Sequence, residues 1–266
     1  MTHDVFFPLD NPNLVVKVFQ IAGHNEPAQE WHALEALAGS GLAPDPVHFD
    51  STSPAVVVMS RAPGASLQAR ELGLEHAATI GSVHRLVHAT ISEPRRPPAH
   101  SGLRAARTAL LRREDRRTLG EHAGQPEVVT RAWRAAQAWI ADADIDHLVS
   151  PERLRFSRGD PNLSNYLWSD GRLVLIDWEN CGYNDPALEL ADMAEHASTR
   201  VLGDAFWTQL ADATELTHAD RARVAYGRRL LACFWLVLIE SRQQQGLPTT
   251  VTLDEQALRT LATLGP

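Results

Sequence analysis

Lysine is almost missing from this 266-residue chain: of its 25 Lys and Arg residues, Lys17 alone is a lysine. Cysteine is nearly as scarce. Two residues, Cys181 and Cys233, give no disulfide framework, which points to a reducing, cytoplasmic setting. No leader or membrane-spanning segment is expected, since the first residues lack a leader pattern and the continuous apolar run at 230–239 is too short to span a bilayer. That run reads instead as a buried helix. Positive charge is in deficit, with 33 Asp and Glu residues and a net charge of −8. With no aromatic series beside its basic stretches, a nucleic-acid partner is excluded. There is no internal repeat, and no glycine precedes Gly23.

What is present is concentrated between Arg158 and Asp185. Asp160 and Asn165 sit five positions apart in Arg158-Gly159-Asp160-Pro161-Asn162-Leu163-Ser164-Asn165, a stretch with no hydrophobic period. A short apolar strand follows, Leu173-Val174-Leu175-Ile176, and stops on Asp177. Asp, Pro and Asn favour turns, so either half alone reads as ordinary loop. Together, at this spacing and with Asp185-Pro186 beyond, they have the layout that phosphoryl transfer needs. Charge gathers on phosphate oxygens during that reaction, so a protein supplies position and countercharge rather than a covalent intermediate. Asp160 would orient an attacking hydroxyl. Magnesium is a hard ion that takes few protein oxygens, which suits the Asn165 amide and the Asp177 carboxylate as ligands.

Lys17 is an independent signal. It lies in Leu14-Val15-Val16-Lys17-Val18-Phe19, a run apolar on both sides that reads as a buried strand. A composition that replaces lysine by arginine everywhere else, yet keeps one inside a strand, implies that a compact ammonium is needed there. In kinases such a lysine contacts the α- and β-phosphates and pairs with a helix glutamate. Residues 26–38 read as a helix with Asn25 as cap, Pro27 in its first turn and an apolar stripe of Trp31, Leu34, Leu37 and Ala38. Glu30 falls within that stripe, where a carboxylate is costly without a cation. It is the first choice for the partner of Lys17, with Glu26, at the stripe's edge, the second.

The block from Arg158 through Asn165, with Ile176-Asp177-Trp178-Glu179 and Asp185-Pro186-Ala187-Leu188-Glu189-Leu190-Ala191, resembles the aminoglycoside phosphotransferase and choline kinase family. The resemblance extends more weakly over residues 4–200. It implies an α+β, protein-kinase-like two-lobed fold: a small, shortened antiparallel-sheet lobe at 1–62 that binds nucleotide, and a mainly helical lobe at 63–266 that holds the substrate pocket. It implies Asp160 as the catalytic aspartate, Asn165 and Asp177 as magnesium ligands, Lys17 and Glu30 at the ATP phosphates, and backbone contacts to adenine around Met59 and Arg61. The activity implied is an ATP- and magnesium-dependent kinase of a small-molecule hydroxyl. An aminoglycoside-like antibiotic leads as acceptor, with an amino alcohol or sugar next. Two positions depart from the family pattern: Arg158 stands where a histidine is usual, and Glu189 where an aspartate is usual. The family's Gly- or Ser-rich loop ahead of the lysine strand has no counterpart before Gly23, so one strand and its loop are expected to be missing. A late start site, another cover for the phosphates, or a catalytically weak kinase-like binding protein would each account for this.

Elsewhere the expectations are structural. Residues 5–7 should pair as a hairpin with the Lys17 strand through the turn at 9–13. Residues 55–59 read as a buried strand, 60–64 as a hinge, and 72–91 and 128–143 as helices, with 154–156 a short strand. His84 and His88 are four apart, a spacing metals use, but no Cys or acid joins them in an obvious way and they read as a packed or solvated pair of helix histidines. Residues 91–100 read as a proline-stiffened loop and 103–117 as a basic, solvated helix face. Asp185 reads as the cap of a helix on which Glu189, Asp192 and Glu195 recur at helical spacing.

Overall fold

A computed structural model describes residues 3–20, 26–90, 126–142 and 154–265. The expected cap Asn25, the 91–100 segment and the basic stretch at 103–117 lie outside the described residues. The first unit is a four-stranded antiparallel sheet of β1 (His3–Phe6), β2 (Leu14–Phe19), β3 (Pro46–Asp50) and β4 (Ala55–Ser60), in the order β1-β2-β4-β3. β1 and β2 form the expected hairpin, with Val5 opposite Lys17. On β2 the period of two puts Val15, Lys17 and Phe19 on one face, opposite Met59, Val57 and Ala55 of β4. Helix α1 (Glu26–Leu37) covers that face, burying Ala33, Leu34 and Leu37 beside Phe19, Val57 and Met59. The register therefore drives the Lys17 side chain into the interior, where it is 4% exposed.

Beyond β4 the chain is mostly helical. β5 (Ala65–Ser66) joins β7 (Tyr166–Ser169) and β8 (Arg172–Leu175) in a second sheet, and β6 (Arg155–Ser157) pairs with β9 (Gly182–Asn184). Around these pack α2 (Leu74–Thr90), α3 (Glu127–Asp142), α4 (Pro186–Glu195), α5 (Asp204–Ala213), α6 (His218–Gln244) and α7 (Leu253–Leu264). One core runs continuously from the β2–β4 face through α2, the β7–β8 hairpin and α4 to α5. A second joins α3, α6 and α7 and takes in half of the apolar run at 230–239. Helix starts follow local chemistry. Asp185 accepts the N–H of Ala187 with Pro186 at the first position of α4, and Thr217 and Thr252 form capping boxes with Asp220 and Glu255. No helix among the described residues is long and apolar enough to cross a membrane.

Differences from expectation are local. In α1, Trp31 is only partly buried and Ala38 lies outside the helix, while Ala33 carries the stripe. The strand expected to reach Asp177 stops at Leu175, and the next two residues turn away from it.

Two glycines set how closely helices approach. A Cβ on Gly81 of α2 would lie 2.5 Å from the Leu210 carbonyl oxygen and 2.7 Å from Cβ of Ala213, both on α5. On Gly227 of α6 it would come within 2.7 Å of Leu188 on α4. Alanine is the better helix former by about 1 kcal/mol, yet at position 81 it meets backbone that cannot rotate aside. Gly81→Ala should therefore destabilise the protein by about 1–3 kcal/mol, read as a lower urea midpoint. A midpoint equal to or above wild type would refute the close approach of α2 and α5.

Candidate active site

The 158–165 loop is built from polar turns. Gly159 takes a φ of 76°, open to glycine at little cost. Asp160 Oδ1 accepts the N–H of Asn162 at 2.9 Å, and Asn162 Oδ1 in turn accepts the N–H of Ser164 at 3.1 Å, capping the single 3-10 turn Leu163–Asn165. These bonds replace helix and sheet partners, which is why the segment shows no hydrophobic period. The turn presents the Asn165 side chain inward, 8% exposed. Its Nδ2 donates to Asp160 Oδ2 at 2.6 Å and lies 3.4 Å from Asp177 Oδ2. Asp160, Asn165 and Asp177 thus converge on one spot.

Asp177 reaches that spot through an unusual backbone. Its φ is 63°, the left-handed region that Asp tolerates better than most residues. Both flanks are fixed. Ile176 N–H donates to the Asn165 carbonyl at 3.0 Å, tying β8 to the loop. Trp178 is fully buried, stacks on Phe156 and donates its indole N–H to the Leu175 carbonyl at 2.9 Å. With Trp178 anchored, the chain directs the Asp177 carboxylate toward the sheet, where Oδ1 accepts from Lys17 Nζ at 2.6 Å.

Lys17 also contacts Glu30 Oε2 at 2.6 Å and approaches Glu179 Oε2 at 3.2 Å. Of the two glutamates weighed from sequence, Glu30 is the one in contact. Burial alone would push the lysine down, but Glu30 and Asp177 outweigh it and hold the ammonium well above its ordinary value. Burial pushes Glu30 up to about 7 against the pull of Lys17. Its 2.6 Å contact with Lys17 offsets part of the cost of that burial. Glu179 lies within the sequence block, yet nothing in the pattern marked it as a neighbour of Lys17. His3 Nδ1 approaches the same Glu179 oxygen at 2.9 Å.

Met59 and Arg61, the residues expected near adenine, sit at the end of β4. Met59 is buried in the core, while Arg61 is exposed with its guanidinium over the Phe7 ring. The N–H of Arg61 donates to the Asn13 carbonyl at 2.7 Å, so a further backbone contact from Arg61 falls to its carbonyl.

On the other side of Asp160 a small pocket opens between the loop, α2 and α4, with Tyr166, His84, Glu189 and Asp192 in its wall. Burial, then the charges of Asp160 and Glu189, raise the Asp192 carboxyl to about 7. Behind the wall, the histidine pair has the acid that sequence could not supply. Glu189 lies 2.6 Å from His88 Nε2 and 3.5 Å from His84 Nδ1, and accepts from Ser157 Oγ at 2.6 Å. His84 Nε2 meets the Tyr166 hydroxyl at 3.0 Å. Two histidines and a carboxylate within this distance could hold a metal, but hydrogen bonds already account for the cluster, which ties α2, α4, β6 and β7 together behind the loop.

A small antiparallel sheet holding a buried Lys–Glu pair, set over a helical body that brings two aspartates and an asparagine to it, is the protein-kinase-like fold. Solved structures agree. A choline/ethanolamine kinase family protein from Mesorhizobium loti is similar with a TM-score of 0.69 and 21% identity, over 100% of this chain and 86% of that one. Choline kinase LicA from Streptococcus pneumoniae has a TM-score of 0.63 and 18% identity, over 96% and 87%. The streptomycin–ATP–APH(2")-IIa ternary complex has 0.64 and 14%, over 99% and 89%. At these identities the likeness establishes the fold. A sequence model of the phosphotransferase enzyme family (APH) matches residues 2–226, and the chain belongs to that family, a small-molecule phosphotransferase. No curated protein matches it in sequence.

The Glu189 cluster carries a pH signature. Burial would raise this carboxyl, but His84 and His88 outweigh burial and hold it well below the ordinary carboxylate range. Its stabilisation is complete above about 4.3, the unperturbed glutamate value, and is lost as pH falls towards the folded value, because only the unfolded chain takes up the proton. Glu189→Gln should cost on the order of 1–3 kcal/mol at pH 7, with the gap to wild type narrowing below pH 4. Urea unfolding across pH checks this, and a gap independent of pH would contradict it.

Proposed function

We propose that the protein transfers the γ-phosphate of ATP to a hydroxyl of a small molecule. The observation that carries this reading is the convergence of Asp160, Asn165 and Asp177 on a spot that the buried Lys17–Glu30 pair reaches through Asp177. Asp160 accepts a hydrogen bond from the acceptor hydroxyl and receives its proton as the oxygen bonds to phosphorus. The bond from the γ-phosphorus to the bridging oxygen breaks, and ADP leaves. Lys17, kept charged and placed by Glu30, stabilises the phosphates. Residues 1–62 form the nucleotide-binding lobe, with adenine held by backbone near Met59 and Arg61, and residues 63–266 form the acceptor lobe.

The residues fit magnesium. The donors near the spot are hard oxygens, the carboxylates of Asp160, Asp177 and Glu179 and the Asn165 amide oxygen. Asp177 and the amide oxygen of Asn165 would hold the ion, which neutralises charge on the phosphates when bound. The pocket beyond Asp160 carries Asp192 in its wall, which favours an acceptor bearing an amine near its hydroxyl. An aminoglycoside-like antibiotic leads, and an amino alcohol such as choline, or a sugar, follows. The two cysteines, both free and buried, are in keeping with the reducing cytoplasm where ATP is plentiful.

The test is ADP release by purified protein against a panel of aminoglycosides, choline-like alcohols and sugars. Asp160→Asn should lower turnover of the best acceptor by about 10²-fold or more while the protein still unfolds in one cooperative transition; unchanged turnover removes Asp160 from the reaction. ATP with magnesium should raise the melting temperature of the wild type, and EDTA should cancel that rise. A rise that survives EDTA would speak against a cation held by Asn165 and Asp177.

A further inference from the structure

Arg158 is a poorly accommodated charge among the described residues of the interior. It is 2% exposed, and none of Nε, Nη1 and Nη2 makes a hydrogen bond of good geometry, the Tyr166 side chain being its near polar neighbour besides Asp160. An arginine cannot shed its proton to escape that cost, so the cation is permanent. A guanidinium buried without hydrogen bonds is destabilising unless a nearby charge or π face compensates it. Both are present. The guanidinium lies over the Tyr166 ring, 4.8 Å from its centroid, and Nη1 stands 3.7 Å from Asp160 Oδ2. Tyr166 is itself fixed by His84, which stacks on its ring and meets its hydroxyl. The residue is thus clamped from β7 and α2, with its idle donors beside the carboxylate.

The hydrogen bonds of Asp160 show why a fixed cation would be useful there. Oδ1 is taken by the Asn162 N–H, but Oδ2 depends on one side-chain donor, Asn165 Nδ2. Under the function proposed above, that amide turns its oxygen to a cation. Oδ2 then loses its donor as the carboxylate must hold an acceptor hydroxyl in line. Arg158, with its guanidinium over the Tyr166 ring and Nη1 already 3.7 Å from Oδ2, is the group that remains. We propose that Arg158 is a positioning residue for phosphoryl transfer, a permanent buried cation that holds the Asp160 carboxylate in place for the acceptor. Two percent exposure rules out direct contact with substrate, so it acts through Asp160.

The experiment rests on the kinase reading and compares Arg158→Leu, Arg158→Lys and Arg158→His with wild type, using the acceptor that the panel identifies. Arg158→Leu should lose about tenfold or more in kcat, with KM for ATP and acceptor nearly unchanged, because transition-state geometry and not binding is disturbed. Arg158→Lys should recover part of the loss. In Arg158→His the cation becomes titratable, with an ordinary imidazole value of about 6.5. The kcat of that variant, divided by that of wild type, should fall as pH rises from 6 to 8.5. The other groups around this position are Asp160 in the loop, Tyr166 on β7, His84 on α2, Glu189 and Asp192 on α4, and His196 just after it. They are common to both proteins and divide out. A purely structural arginine would lower the melting temperature without giving a pH-dependent ratio. Arg158→Leu with wild-type kcat, or a flat Arg158→His ratio, overturns the proposal. Should the leucine variant not fold, the lysine and histidine variants decide alone. Wild-type protein that turns over no acceptor would sink the kinase reading and this inference with it, whereas an active wild type beside an equally active leucine variant sinks only this one.

Discussion

The ammonium of Lys17 joins two parts of the chain that share little else near the cleft. It is donated by an inner strand of the first sheet, and its partners come from α1 (Glu30) and from the turn after β8 (Asp177), 160 residues later. Neither pairing would be stable alone. A buried lysine without a carboxylate would lose its proton, and Glu30, buried in the stripe of α1, would be left as an isolated charge. Each group makes the burial of the others tolerable, which fixes α1 against the sheet and the sheet over the loop. The cost of separating them is also what gives this part of the molecule one geometry.

That dependence explains the strain at Asp177. A residue at the end of a strand could continue it, but its carboxylate would then miss the lysine. The left-handed φ of 63° redirects it, and the buried Trp178 and the Ile176 bond to the loop hold the turn closed. Asp is one of the few residue types that accepts such a backbone while bearing a charge. The identity of the residue and its conformation are therefore one requirement.

What could be read from sequence follows the range of the interactions. Turn chemistry is local, so Asp160, Asn162 and Asn165 announce their loop, and Asp185 with Pro186 announces a helix start. Lys17 was legible for another reason: arginine fills every other basic position, so its retention was informative without any contact being known. Glu30 followed from helical phase. Long-range pairings left no such trace. Glu189 is 101 residues from His88, and the histidines alone gave no sign of an acid between them. β3 and β5 are short, partly exposed and lacking in alternation, so their pairing is set by neighbours rather than by their own residues. Glu179 was visible in the block, but its approach to Lys17 depends on the turn that follows the left-handed Asp177.

The charge balance around the loop follows from the same geometry. Asp160, Asp177, Glu179 and Glu30 stand on one side with a single lysine among them, and Asp192 and Glu189 stand on the other. Glu189 is compensated internally by two histidines and Glu30 by Lys17. Asp192 has no such histidine, and burial with like charges raises its carboxyl to about 7. A group poised this way can change charge for little free energy at neutral pH, and an amine placed beside it would drive it to the ionised form. The same amine would relieve repulsion toward Asp160. The uncompensated acids thus divide by position, with Asp177 and Glu179 beside Lys17 on one side of the loop and Asp192 in the pocket wall on the other.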